Sequence, residues 1–239
     1  YLSYRLKNFQ FRNEVTLCFN KANNSPYGTF DQYTVLNPYW NPYDANGNAR
    51  YYLENLRYAN GQVGNSGDLL TGQIVNPLYN GSLAVVDQNR YKSLMNNLNA
   101  IWQAASWLRF NARLSYQQQS DYYDKFLPPT HTDFASLLAD EYAKRGSYSR
   151  TDGDSRLLDG NFTADVNKTI GKSVFFGTLG MNFQDQKNEA TTLEATGFPN
   201  ERPNRFFNAI QYKSDSKPMG MESKSRLAGY LANLSYAYD

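Results

Sequence analysis

The sequence predicts an all-β fold: an antiparallel, up-and-down transmembrane β-barrel, present as about seven strands of a larger barrel with long extracellular loops. Three observations carry this. Apolar and polar residues alternate with period two in several separate stretches, the pattern of a strand with one apolar and one polar face. Short and long links between these stretches alternate strictly. No run of about 18 apolar residues occurs, so the chain encodes no transmembrane helix, which a barrel does not need.

The elements follow in order. Phe9, Phe11, Val15, Leu17 and Phe19 occupy odd positions, with Asn13 the exception, while Gln10, Arg12, Glu14, Thr16, Cys18 and Asn20 fill the even ones. A weaker alternation runs from Leu94 to Trp102. Next, Leu108, Phe110, Ala112, Leu114 and Tyr116 oppose Arg109, Asn111, Arg113, Ser115 and Gln117. Leu158, Gly160, Phe162, Ala164 and Val166 oppose Asp159, Asn161, Thr163, Asp165 and Asn167. Phe175, Leu179, Met181 and Phe183 form the next apolar face, and Ala228 to Tyr238 a last, weaker one. Tight turns are expected at Lys7-Asn8, Ala105-Ser106 and Ile170-Gly171-Lys172. The long links are expected at 21–91, 118–156 and 186–224.

Neighbouring antiparallel strands reverse direction, so every second link returns to the same end of the sheet. All three long links therefore project from one end and all tight turns from the other, the asymmetry of outer-membrane barrels. Inside the second long link, Phe134, Leu137, Leu138 and Tyr142 follow helical spacing. Thr132 or Asp133 would cap such a helix and Gly146 would end it, which predicts a helix over 133–145.

The polar faces carry Arg12, Glu14, Arg109, Arg113, Asp159 and Asp165. A wide barrel holds water or a plug in its lumen, and such residues suit that surface; Arg12, Arg109 and Arg113 are candidate lumen-facing residues. Phe9, Phe11, Val15, Leu17, Phe110, Leu114, Phe162 and Val166 are expected on the convex, lipid-facing side, making the chain insoluble without detergent. The pattern leaves a second reading open: a soluble all-β module, such as a carbohydrate-binding one, with one wet sheet face.

Composition narrows the function. Aromatics are 15% of the chain, with 20 Tyr and 14 Phe, which suits a barrel with aromatic girdles. The net charge of +2, with scattered basic residues, gives nucleic-acid binding no electrostatic support. One cysteine, Cys18, excludes an internal disulfide framework, and one histidine, His131, argues against a multi-histidine metal site. His131 with Asp133 and Asp140 lacks a second histidine and an activated nucleophile, so no catalytic residue, cofactor or metal is expected and the chain is read as a non-enzyme.

Tyr39, Trp40 and Tyr43, stiffened by Pro38 and Pro42, are the candidate substrate- or partner-binding residues. They could stack on a sugar ring or a partner, or fold the loop onto itself, since long ordered loops need small cores of their own. Asp44-Ala45-Asn46-Gly47-Asn48 places its glycine too early for an EF-hand and reads as a turn at Asn46-Gly47. The triplets starting at Asn80, Asn161 and Asn233 match a glycosylation pattern by chance, two of them lying in predicted strands. Both chain ends, from Tyr1 and to Asp239, read as cut.

An ordered set of segments extends the argument. Asn8 to Asn13 leads into a strand and on to Asn23 to Phe30, Asn37 to Asp44 and Asn46-Gly47-Asn48. Asn76 to Asn80, the strand from Asn96-Asn97 to Trp102, and Phe126-Leu127-Pro128-Pro129 follow, then Gly197 to Asn200 and Ser225 to Tyr230. In order and spacing this set resembles the SusC/RagA family of TonB-dependent outer-membrane transporters, over essentially the whole chain. The resemblance implies a barrel of about 22 strands around a plug. It implies import of oligosaccharides, glycans or peptides across the outer membrane, powered through TonB, with a SusD-like surface lipoprotein as lid over the extracellular loops. Residues 1–239 then form part of the barrel domain; the plug, the TonB box and a carboxypeptidase-like N-terminal extension are absent from this stretch. The loop end is where substrate and lid are expected to bind.

Overall fold

The computed structural model describes residues 1–55, 73–202, 206–213 and 217–238. The middle of the first long link lies outside the described residues. One sheet dominates, built from β1 (Leu2–Leu6), β2 (Phe9–Asn23), β5 (Val86–Ala105), β6 (Leu108–Leu127), β7 (Ser147–Ile170), β8 (Ser173–Thr196) and β10 (Met219–Tyr238). These seven follow one another in chain order, every neighbour antiparallel. β9 (Gln211–Tyr212) adds two residues beside the end of β8. β3 (Tyr52–Asn55) and β4 (Gln73–Val75) form a separate ribbon inside the first long link. The sheet is open: β1 pairs only with β2, and β10 only with β8, among the described residues. None of the described helices is long and apolar enough to cross a membrane.

The turn end matches expectation. Lys7-Asn8 and Gly171-Lys172 close two hairpins, with Lys7 (φ 47°) and Gly171 (φ 60°) in the left-handed region. The link between β5 and β6 falls at Ser106-Trp107, one residue later than the sequence suggests, because a register shift between Gln103 and Ala105 lengthens β5. All three long links leave from the opposite end.

The strands are longer than their alternation. The link between β6 and β7 is 128–146 rather than 118–156, and β8 runs to Thr196 rather than stopping near residue 185. In these extensions both faces are polar: Ser120 pairs with Asp154 on one face and Gln119 with Ser155 on the other. The hydrogen-bonded ladder continues because the backbone pairs whatever the side chains are; only the period-two signal ends.

The helix expected over 133–145 does not form. The segment is a series of tight turns, with 3-10 turns at Thr132–Phe134 and Tyr142–Lys144. Its backbone bonds are of the i→i+3 kind, as in Ala135 N–H to Thr132 (3.1 Å) and Lys144 N–H to Glu141 (2.9 Å). The Glu141 carboxylate accepts from the Leu138 N–H at 2.9 Å, a side-chain bond that competes with helix continuation. A short helix that the spacing did not signal, α1 (Phe30–Thr34), stands in the first link instead.

Buried apolar side chains are few and sit at the loop end: Leu53, Phe126, Leu127, Ala195 and Phe198, among the described residues. Elsewhere one face of the sheet leaves large apolar groups open, Leu179 at 66%, Leu17 at 62% and Leu234 at 79% exposure.

Candidate functional site

Three surfaces are positioned by this sheet: an apolar belt on one face, a polar face behind it, and a cluster of loops at one end. Phe9, Val15, Leu17, Phe110 and Phe162 are exposed on the belt face, and Phe11, Leu114 and Val166 are partly exposed there. Following the hydrogen-bonded register sideways from Phe9 gives Trp102, Phe110, Ala164, Leu179 and Ala232, one row across the sheet. The row from Phe19 gives Lys92, Ser120, Asp154, Glu189 and Glu222.

These rows show that the belt is slanted. On β2 the apolar positions run from Phe9 to Phe19; on β10 they run from Tyr238 to Ala228. The two runs have the same length, but both ends are displaced by about six residues in register over the five strand intervals between β10 and β2. With about 3.4 Å per residue and 4.8 Å between strands, that is roughly 20 Å in 24 Å, a slope of about 40°. A plane of lipid cutting strands tilted by about 35–45° would leave this trace.

Details of the belt fit an apolar solvent. Its two central amides, Asn13 and Asn96, bond each other at 2.6 Å, so the exception in the β2 alternation is satisfied within the belt. At the turn end Phe175 and Tyr236 pack with centroids 5.2 Å apart, and Lys168 lies over the Trp107 ring at 4.9 Å. Aromatic rings at such a border resemble a barrel girdle.

The opposite face carries the arginines singled out from the sequence. Arg12, Asn99 and Arg113 share one row, and Arg113 donates to Asn99 at 3.3 Å. Arg109 pairs with Asp165 at 3.4 Å, and Asp165 also accepts from Asn111 (2.8 Å) and Thr178 (2.9 Å). Arg12 lies over the Tyr1 ring at 5.5 Å. All three arginines therefore stand on one hydrogen-bonded polar surface.

At the loop end the three long links are tied together. Asn80 and Thr132 bond reciprocally, Asn80 Nδ2 to Thr132 Oγ1 at 2.7 Å and Thr132 N–H to Asn80 Oδ1 at 3.1 Å, joining the first link to the second. Thr130 Oγ1 bonds Glu201 at 2.6 Å, and the Phe198 N–H bonds the Arg145 carbonyl at 3.1 Å, joining the second to the third. Asn76, buried, donates to the carbonyls of Pro42 (2.9 Å) and Arg50 (2.8 Å) and so pins the strap that carries the loop aromatics. On that strap Tyr39 is 93% exposed, Trp40 is half-buried and Tyr43 is exposed. Asp44 closes its turn, accepting from the Asn46 (2.8 Å) and Asn48 (2.9 Å) N–H groups, which hold its carboxyl below the usual range; Gly47 takes φ 81°. His131 is buried, and its Nδ1 accepts from the Asp133 N–H at 3.2 Å.

Beneath these loops lies a cavity of about 650 Å³. Its lining includes Tyr123, Lys125 and Ser149 from the polar face of β6 and β7, with Asp133 and Lys144 from the second link and Lys213 beyond β9. Lys213 pairs with Glu194 at 3.0 Å and Lys125 with Asp87 at 3.8 Å. Sequence reasoning missed this cavity because it placed 118–156 in a loop. Continuing the odd-numbered polar positions of β6 past Gln117 would have put Tyr123 and Lys125 on the same polar face as Arg109 and Arg113.

No family model matches the sequence, and no curated protein matches it in sequence. Solved structures do match in shape. A chain of the RagAB peptide importer in its closed-closed state aligns with a TM-score of 0.68 at 12% identity, over 99% of this chain and 25% of that one. A chain of the RagAB peptide transporter aligns at 0.67 and 13%, with the same coverages. The importer in its open-open state gives 0.64 at 13%, over 97% of this chain and 24% of that one. The chain thus spans about a quarter of the length of the chains it matches. The likeness to SusC/RagA-type transporters read from the sequence is carried by the fold itself: an open antiparallel meander that reproduces a quarter of a RagAB importer chain.

Proposed function

We propose that this chain is part of the barrel wall of an outer-membrane, TonB-dependent active transporter. It works with a SusD-like lid lipoprotein to import oligosaccharides, glycans or peptides, and it is not an enzyme. The slanted apolar belt carries this reading. A soluble carbohydrate-binding module would have no use for a face of exposed Phe, Leu and Tyr whose borders run at about 40° to the hydrogen-bonded rows. The open edges support the same view, since a strand such as β10 with an unpaired backbone edge is not tolerated in hydrocarbon and needs a further strand beside it. The plug and TonB-contacting parts then lie outside residues 1–239.

In this reading Arg12, Arg109 and Arg113 face the lumen, and the loop end with Tyr39, Trp40 and Tyr43 meets substrate or lid. Tyr39 offers a bare ring for stacking, while Asn76 fixes its strap, which lowers the ordering cost of contact. The test is deletion of Asn37 to Tyr43 in the full transporter. Uptake of the substrate or retention of the lid protein is expected to fall while the barrel still assembles in the membrane. Loss of barrel assembly would make the strap structural and remove its binding role.

A further inference from the structure

The belt ends toward the loops in a set of cations whose alignment is visible only once its slant is known. A line drawn along that slope from Arg226 on β10 passes within about a residue of Lys187 on β8, Arg156 on β7, Ser120 on β6, Lys92 on β5 and Lys21 on β2. Five of six successive strands therefore place a basic residue at one level, immediately beyond the last apolar position on β2, β5, β7 and β10 and one outward position further, past Asp185, on β8. In the sequence these residues are scattered and show no basic patch, and in the untilted register only Arg156 and Lys187 share a row, with Arg226, Lys92 and Lys21 each on another.

The acidic groups are arranged differently. Asp154, Glu189 and Glu222 stand further toward the loops, and Asp185 alone lies at the level of the collar, paired with Arg226 at 2.7 Å. Arg156 pairs with Asp154 at 3.0 Å, and Lys187 with Glu189 and with Glu222 (3.4 Å). Lys21 and Lys92 have no ion-pair partner among the described residues, and both are exposed. The existing pairs are exposed ones, weak enough to exchange for another anion.

Resting on the membrane reading above, we propose that this collar binds the anionic phosphate headgroups of lipids in the leaflet on the loop side. The height fits. A ten-residue apolar run is about 34 Å of strand, or about 26 Å along the membrane normal at the observed slope, close to the about 25 Å apolar band of a barrel. The cations therefore sit where acyl chains give way to headgroups, with long stems lying back over the belt and charges at phosphate level.

The experiment uses the full natural chain, purified in non-ionic detergent, stripped of lipid and titrated with phosphatidylglycerol or with phosphatidylcholine of the same acyl chains. Bound lipid is counted by native mass spectrometry. Neutralising the collar together (Lys21→Gln, Lys92→Gln, Arg156→Gln, Lys187→Gln, Arg226→Gln) is expected to lower phosphatidylglycerol binding at least about fivefold and to leave phosphatidylcholine unchanged. Should that variant fail to fold, Lys21→Gln with Lys92→Gln breaks no ion pair and is expected to give about a twofold loss, with Lys21→Arg and Lys92→Arg restoring binding. Unchanged phosphatidylglycerol binding overturns the proposal, as does displacement of the lipid by excess inorganic phosphate, or a collar variant whose only effect is loss of a second copy of the chain. A separate arm tests the membrane reading. A spin label at Leu179→Cys in a Cys18→Ser background, in vesicles, is expected to collide with oxygen more than with a water-soluble nickel chelate. The reverse result removes the membrane reading; the expected result with unchanged lipid binding removes only the collar.

Discussion

The turn-side and loop-side halves of the same strands obey different rules. On the turn side β8 presents Phe175, Leu179, Met181 and Phe183 outward, an apolar face on a fully paired backbone that suits a solvent without hydrogen bonds. On the loop side the same strand presents Lys187, Glu189 and Thr191 outward, and its pairing continues without a break. The difference teaches that alternation reports what a strand faces, whereas the ladder reports that it is a strand. Where both faces meet water, only the ladder remains.

That contrast can be broken most directly by moving a charge. Leu179→Arg places a guanidinium in mid-belt and should cost about 2–4 kcal/mol, whereas Thr191→Arg, on the same face of the same strand, should stay within about 0.5 kcal/mol. Equilibrium unfolding of the full transporter from vesicles measures both, and equal costs would mean that the halves share one solvent. The next largest effect belongs to the loop side. Asn80→Ala leaves the buried Thr132 groups without partners and should loosen the loop junction by about 1–3 kcal/mol. Amide exchange should rise in the first and second links and not in the belt; a rise along β7 and β8 would show that the halves are coupled.

Asn13→Leu sharpens the comparison within the belt. It strands Asn96 in an apolar setting at a cost of about 1 kcal/mol, and adding Asn96→Leu should recover most of it. If the double variant is no better than the single one, the pair is not in hydrocarbon. The smallest effect is electrostatic. The side-chain bond with His131 holds the Asp133 carboxyl below its ordinary value, with burial opposing it. A depressed carboxyl contributes stability that is present above the ordinary titration near pH 3.9 and fades as the pH falls through the lower folded value. Because Asp133 is half-exposed, the loss should stay under about 1 kcal/mol. Exchange in the second link should therefore be flat from neutral pH to about pH 4 and rise only below it; an earlier rise would assign the junction to another group.

Much of the fold was legible in the sequence, and the limits have physical causes. Phe9 to Phe19 and Leu108 to Tyr116 announced strands because their two faces differ sharply in polarity. Gln118 to Leu127 announced nothing, since Gln118, Ser120 and Asp124 are as polar as their neighbours. Phe134, Leu137 and Leu138 imitated a helical stripe, yet they belong to consecutive tight turns, a spacing that i→i+3 turns reproduce over so short a span. Of the candidate site, the shared polar face of Arg12, Arg109 and Arg113 was readable from parity. The cavity with Lys125, Lys144 and Lys213 was not, because it depends on the second and third links folding over the ends of β6, β7 and β8.

The excess length of the strands has a consequence for encounter. β7 and β8 hold 24 residues each, about 80 Å of chain, which at a tilt of about 40° stands roughly 60 Å tall. An apolar band of about 25 Å leaves some 35 Å of polar wall beyond it. In the proposed transporter, once its barrel is closed, this would be a chimney rising from the cell surface. A solute that enters it stops searching in three dimensions and diffuses along one axis, past a surface that only wets it, so that rebinding outpaces escape. Capture at dilute supply would then owe as much to the height of the wall as to the strength of any single contact inside it.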